Sequence, residues 1–381
     1  MATDDRAGFA GHEGPSLHGV PSGERIFSCD DHIDLWALPP DLWQARMPQA
    51  LRAGAPRVVD AGPMKLWKAG DKVLGPSGPS RAGYSAILRA GLPDDDGLRA
   101  STPELRLSDM DRDGIWSSVI YGPSLLGLQI DDLELKAACL RAYNDWAAEF
   151  NAIDRQRLCV LPVLPAHDAN AAVAELERVA KLGHRGAILY CFETRIIDSQ
   201  WEALWQAAAH HELPISFHIG GGGSLIDLDP ASWKLAAWAA ITPMQMDEPL
   251  VAMVMSGALE RNPKMRLVLA EAGIGWVPYV IERMDASFAK HGAAAKDYRI
   301  EQKPSEIFHR QVMVTFEEEP LGPKLLPLIG ADNVMWASDY PHPDSPFPHS
   351  LRAIEEAFAG LDPSLRRKAT GENCARLYHL A

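Results

Sequence analysis

Eight short apolar runs recur along the chain, at 26–34, 116–122, 158–165, 186–191, 214–220, 266–273, 312–318 and 334–341. Amphipathic stretches with helical periodicity stand between them, at 134–151, 169–182, 200–211, 248–261, 276–290, 320–329 and 349–360, with a last one at 363–377. Runs of this length, apolar on both faces and separated by helices, are the pattern of parallel strands covered by crossover helices. Eight of them predict an α/β fold of the (β/α)8 TIM-barrel type rather than an open doubly wound sheet. No GxGxxG follows the first run, which argues against a dinucleotide-binding half. The Gly220–Gly223 run precedes no helical pattern and is expected to be a turn.

The predicted organisation is a flexible arm over residues 1–24 and one barrel domain over 25–381. Two segments, 35–100 and 221–245, are too long to be simple connections. Each follows a strand, so in a barrel both would lie at the C-terminal face as lids over the site. With 37 Lys and Arg against 51 Asp and Glu, the net charge is −14, which excludes a phosphate-binding nucleic-acid surface. No apolar stretch is long enough to cross a bilayer, so no membrane partner is expected. The five cysteines form no CxxC pair, so neither a disulfide framework nor a cysteine zinc site is expected; a reducing cytoplasm suits them.

The chemistry is concentrated where buried runs end in polar residues. The first ends Ser28-Cys29-Asp30-Asp31-His32, and alternation puts Asp30 and His32 on one face. The fifth run ends at His218, the sixth at Glu271 and the eighth at Asp339. Buried carboxylates and imidazoles are costly unless paired or metal-bound. Five of them on one barrel rim predict a metal site made of Asp30, His32, His218, Glu271 and Asp339. Three carboxylates with two histidines suit iron and manganese more than a lone zinc.

These residues carry a resemblance. Asp30-Asp31-His32, Pro39-Pro40-Asp41-Leu42-Trp43, Glu271-Ala-Gly-Ile-Gly-Trp276, Ser338-Asp-Tyr-Pro-His342 and Gly371-Glu-Asn373 are similar to the amidohydrolase-related metal enzymes. Within them the chain resembles the branch that contains aminocarboxymuconate-semialdehyde decarboxylase and aromatic-acid decarboxylases. Two positions depart from the family pattern: the first-strand His-x-His reads Asp30-x-His32, and the sixth-strand histidine reads Glu271. The fourth strand has no lysine to be carbamylated between two metals, but Glu271 or Asp339 can bridge a pair.

The departures make the chain similar to an oxygenase offshoot of the family, the diiron hydroxylase of platensimycin and platencin biosynthesis. That likeness implies two divalent ions, iron ahead of manganese or zinc, with dioxygen as co-substrate. The implied substrate is a bulky diterpenoid carried as a coenzyme A thioester. The alternative is the commoner family chemistry, metal-dependent hydrolysis or decarboxylation, with Asp339 as proton shuttle. Asp339, Glu271 and His342 are the expected catalytic residues, His342 by orienting a ligand. A small-molecule substrate and a homo-oligomer are expected.

Other polar positions have milder readings. Asp31 should point away from the site and make a structural hydrogen bond. Tyr190 and Glu193 are placed to reach substrate. Asp109, Asp111, Arg112 and Asp113 are expected as a solvated helix end before Gly114, and Glu317–Glu319 as a solvated turn from which one residue can face the site. His210 and His211 suit a surface helix terminus. Trp233, Trp238, Met244 and Met246 are expected as lid or dimer packing.

Overall fold

In the computed structural model, the structure describes residues 24–62, 64–78, 101–123, 129–220, 226, 232–294, 300–342 and 344–380. The proposed 1–24 arm apart from Glu24, Gly221–Gly223 and parts of the two long insertions lie outside them. The strands are β1 (Phe27–His32), β2 (Arg57–Ala61), β3 (Met64–Ala69), β4 (Lys72–Ser77), β5 (Ser117–Tyr121), β6 (Leu158–Val160), β7 (Ala187–Ile188), β8 (Ile215–His218), β9 (Leu267–Ala270), β10 (Val312–Phe316) and β11 (Val334–Trp336).

Eight of these build the barrel, and they are the eight predicted runs. All ladders among them are parallel: β1, β5 and β6 in one group, β7 to β11 in the other. A bridge between Val163 and Ile188 joins the groups on one side. On the other, His32 N–H donates to the Tyr340 carbonyl at 2.8 Å and Asp339 N–H to the Asp30 carbonyl at 2.9 Å. Strand interiors are buried on both faces, as near-continuous apolar runs require. Within the 35–100 segment, β2, β3 and β4 form an antiparallel sheet that the sequence reading did not foresee.

Helices clothe the barrel, and local chemistry sets their ends. The helix α1 (Pro103–Asp113) starts with Thr102 accepting from the Leu105 N–H at 3.2 Å and stops at Gly114, whose φ of 76° suits glycine. The helix expected over 248–261 is broken into Asp247–Met255 and Ala258–Arg261 by Gly257, which also takes a positive φ. The run at 186–191 yields only a short strand, because Cys191–Glu193 turns into a 3-10 helix. All five cysteines are buried and free. Among the described residues, no helix is long and apolar enough to cross a membrane.

Candidate metal centre

The barrel brings together the five residues expected as ligands. Asp30 and His32 lie on β1, His218 ends β8, Glu271 follows β9 directly and Asp339 stands three residues beyond β11. Glu271 (φ 51°) and Asp339 (φ 55°) both adopt left-handed backbone, which costs a non-glycine residue energy and concentrates at functional sites. Asp30, His32, His218 and Asp339 are buried, while Glu271 keeps some exposure.

Each side chain is held by one atom and offers another. Asp30 Oδ2 accepts from the Glu271 N–H at 2.6 Å and from the Thr315 hydroxyl at 3.1 Å, leaving Oδ1 directed inward. His218 Nδ1 lies 2.8 Å from the Ile219 carbonyl, so that nitrogen donates and Nε2 faces the centre. Asp30 Oδ1, His32 Nε2, His218 Nε2 and Asp339 Oδ1 are buried without hydrogen-bond partners. Native proteins rarely leave such atoms unsatisfied. His218 Nε2 is 3.1 Å from Glu271 Oε2 and 3.6 Å from Asp30 Oδ1. His32 Nε2 is 2.9 Å from Asp339 Oδ1, 3.6 Å from Asp30 Oδ1 and 3.8 Å from Glu271 Oε2. Each of these contacts needs a cation between the facing atoms, either a proton on the imidazole or a metal ion. The donor set therefore fits a divalent ion with oxygen and nitrogen ligands.

The electrostatics agree. Burial depresses the basicity of His218, but the Asp30 and Glu271 carboxylates outweigh it and raise its pKa well above the ordinary value. His32 goes the other way: burial, with His342 and His218 nearby, lowers its pKa to about 3. Its imidazole is therefore neutral at physiological pH. Burial raises the Asp339 pKa against the opposing pull of His342.

His342 also lies beside the centre. Its ring stacks on His32 at 3.8 Å between centroids, its Nδ1 is 2.9 Å from Asp339 Oδ1, and its Nε2 is 3.0 Å from Asp34 Oδ2. Burial would raise the Asp34 pKa, but the neighbouring His342 holds it below the usual carboxylate range. Asp31 points away, accepting from Ser28, Ser118 and Ser338. Tyr190 and Glu193 are occupied elsewhere: the phenol donates to the Pro123 carbonyl at 2.6 Å, and Glu193 pairs with Lys136 at 2.9 Å.

One expectation is refined and another corrected. Glu317 is half-buried and faces the centre; burial, then repulsion from Asp339, Glu271 and Asp30, raises its pKa well above the ordinary value. Glu319 accepts from the Ile274 and Gly275 N–H groups, and only Glu318 is left as exposed turn. Alternation from Thr315, which touches Asp30, selects Glu317 as the one of the three that faces the site. The supposedly solvated Asp109 and Asp113 are buried, Asp109 receiving the Tyr340 hydroxyl and Asp113 the Ser350 hydroxyl and N–H. A cleft of about 560 Å³ opens above the centre, bounded by Ile219, Trp238, Pro243, Glu271, Glu317 and Pro346. Trp238 thus walls the mouth, while Met246 is core and Trp233 is exposed.

The sequence matches the Amidohydrolase family over residues 30–380. The chain belongs to that family. It is 25 % identical over 263 residues to gamma-resorcylate decarboxylase of Rhizobium radiobacter, covering 62 % of this chain and 76 % of that protein. Its fold is similar to 5-carboxyvanillate decarboxylase LigW from Sphingomonas paucimobilis, with a TM-score of 0.68 and 22 % identity over 94 % of this chain and 100 % of that one. A dihydroxybenzoic acid decarboxylase from Polaromonas sp. JS666, solved with bound manganese and the inhibitor 2-nitroresorcinol, gives 0.62 and 18 % over 94 % and 97 %.

These relatives overturn the expectation of a diiron oxygenase. They are decarboxylases of aromatic acids, and the ion named with one of them is manganese. The two replacements read as oxygenase marks, Asp30 and Glu271, make a carboxylate-rich metal site without specifying oxidative chemistry. Nothing in these relatives calls for iron, dioxygen or a coenzyme A thioester.

Proposed function

We propose that the protein is a metal-dependent decarboxylase of a small aromatic acid. The observation that carries this is the set of four buried, unpartnered ligand atoms, on Asp30, His32, His218 and Asp339, in a chain whose relatives remove carboxyl groups from aromatic acids.

We infer a pair of divalent ions of the manganese class. Asp30, His32 and His218 form one candidate ligand group; His32, Glu271, Asp339 and His342 form another. The shared His32 Nε2 has one lone pair to give, so an ion on the first group leaves Glu271 and Asp339 for the second, with His342 Nδ1 standing 2.9 Å from Asp339 Oδ1 beside it. Bound there, such ions would act as Lewis acids, polarising the substrate's carboxylate and adjacent oxygen.

The chain's own residues do the rest. Trp238, Pro243 and Pro346 wall the cleft with apolar surface suited to a ring. As the bond to the carboxylate carbon breaks, its electron pair stays on the ring carbon and carbon dioxide leaves. A proton must then reach that carbon. Asp339 is placed to pass it, with His342 Nδ1 2.9 Å from Asp339 Oδ1 and Asp34 fixing the far side of the imidazole. Glu271 also lines the cleft.

The test is turnover of a panel of hydroxybenzoic acids by manganese-loaded protein in D2O, followed by NMR. Loss of the carboxyl group with deuterium at the vacated carbon, abolished by chelator, is expected. Intact acids together with metal-dependent cleavage of esters or lactones would make the protein a hydrolase instead.

A further inference from the structure

We propose that Arg106 is a positioning residue for the metal centre, clamping the seam where the barrel closes. Among the described residues β1 and β11 share no ladder. They are joined by two backbone hydrogen bonds, His32 N–H to the Tyr340 carbonyl and Asp339 N–H to the Asp30 carbonyl. Three of these four residues are candidate ligands, and Asp339 sits there in left-handed backbone. The edge of the barrel without a ladder therefore carries much of the candidate metal site.

Arg106 reaches this seam from α1, and its side chain is fully buried. Nη2 donates to the His32 carbonyl and Nη1 to the Tyr340 carbonyl, the latter at 3.2 Å. One planar guanidinium thus spans both strand ends. The Tyr340 carbonyl also receives the His32 N–H, which locks the two residues together. The guanidinium lies over the Tyr340 ring at 4.7 Å from its centroid, and the phenol on that ring donates to Asp109, one turn along the same helix. On its other side Arg106 pairs with Asp31 at 3.9 Å. Asp31 accepts from Ser338 at 2.7 Å and from the Tyr340 N–H at 3.2 Å, so it grips the same strand end.

Burying a guanidinium is expensive, and a packing role alone would be met by an apolar side chain. What an apolar residue or a lysine cannot do is hold two carbonyls at a fixed spacing, which the rigid arginine fork does. That spacing fixes His32 against Asp339, whose ligand atoms stand 2.9 Å apart. Supports of this kind govern metal affinity by keeping ligands oriented.

The experiment compares Mn2+ affinity, by EPR titration of free ion, in wild type, Arg106→Lys and Tyr340→Phe, with circular dichroism to confirm the fold. Arg106→Lys keeps the charge but loses the bridge; its affinity should fall by about 10- to 100-fold, with turnover recovered by excess Mn2+. Tyr340→Phe frees the ring from Asp109 and should weaken binding in the same direction by a smaller factor. A folded Arg106→Lys that melts lower but binds Mn2+ like wild type makes Arg106 purely structural and overturns the proposal. If Arg106→Lys does not fold, Tyr340→Phe decides, and unchanged affinity there overturns it. The clamp rests on the metal centre and not on decarboxylation. Wild type that binds Mn2+ but decarboxylates nothing leaves the clamp to be judged on affinity, whereas wild type that binds no Mn2+ removes both.

Discussion

Replacing Asp30 by asparagine separates a ligand from a structural residue, because the two oxygens of Asp30 do different work. Oδ2 accepts from the Glu271 N–H and the Thr315 hydroxyl, and an asparagine carbonyl can accept both. Oδ1 has no partner and stands 3.6 Å from His32 Nε2 and from His218 Nε2. Asp30→Asn should keep the local fold and remove one negative charge from any ion between those nitrogens. At about 4 Å and an effective dielectric near 20, a unit charge pair is worth roughly 4 kcal/mol and a divalent ion about twice that, so roughly 4 kcal/mol is a floor. At about 1.4 kcal/mol per tenfold, the Mn2+ affinity should fall by at least about a thousandfold. Thermal unfolding with and without Mn2+ reads this out. At a Mn2+ concentration 100 times the wild-type Kd, the ion stabilises wild type by about 2.7 kcal/mol, while at the same concentration the variant gains under about 0.1 kcal/mol. The metal-dependent rise in Tm should disappear. An Asp30→Asn protein with an undiminished rise would show that Asp30 is not a ligand, and the site as built here would be wrong.

Glu271→Ala should lose one equivalent of bound metal by elemental analysis, while the ion on Asp30, His32 and His218 remains. Because Asp30 and Glu271 raise the His218 pKa well above its ordinary value, Mn2+ binding at pH 7 should release about one proton into a weakly buffered indicator solution. His32, with its pKa lowered to about 3, contributes to the apo-protein in the opposite sense. Its folded pKa lies below the unfolded one, so its stability contribution is full above about pH 6.5 and falls as the pH drops toward 3. An acid titration of Tm with His32→Asn as control checks this. Gly114→Ala, at the end of α1, would place a Cβ 2.7 Å from Leu351 Cδ1 in a left-handed conformation, and should lower stability by about 1–3 kcal/mol in urea unfolding.

Much of this molecule is legible in its sequence, for identifiable reasons. Strands buried on both faces stand out as unbroken apolar runs, so all eight barrel strands are readable. A polar residue that ends such a run is conspicuous, and Asp30, His32, His218, Glu271 and Asp339 are visible that way. Charges outside such runs mislead. Arg106, Asp109 and Asp113 share one helix face by spacing, and nothing in that spacing says the face turns inward to the barrel seam. Three glutamates in a row look solvated, although Thr315 and Glu317 continue the alternation of β10. The hairpins of β2, β3 and β4 were obscured in a segment read only for its proline and glycine. Ligand types constrain the ion more tightly than the reaction, so these five residues alone do not separate oxygenase from decarboxylase chemistry.

The central claim, that this barrel rim is built around divalent metal, is tested most directly by anomalous diffraction at the manganese edge from crystals grown with Mn2+. The account predicts a peak bonded to Asp30, His32 and His218, with a second beside Glu271, Asp339 and His342. Crystals grown in saturating Mn2+ that show no anomalous peak among these side chains would contradict it.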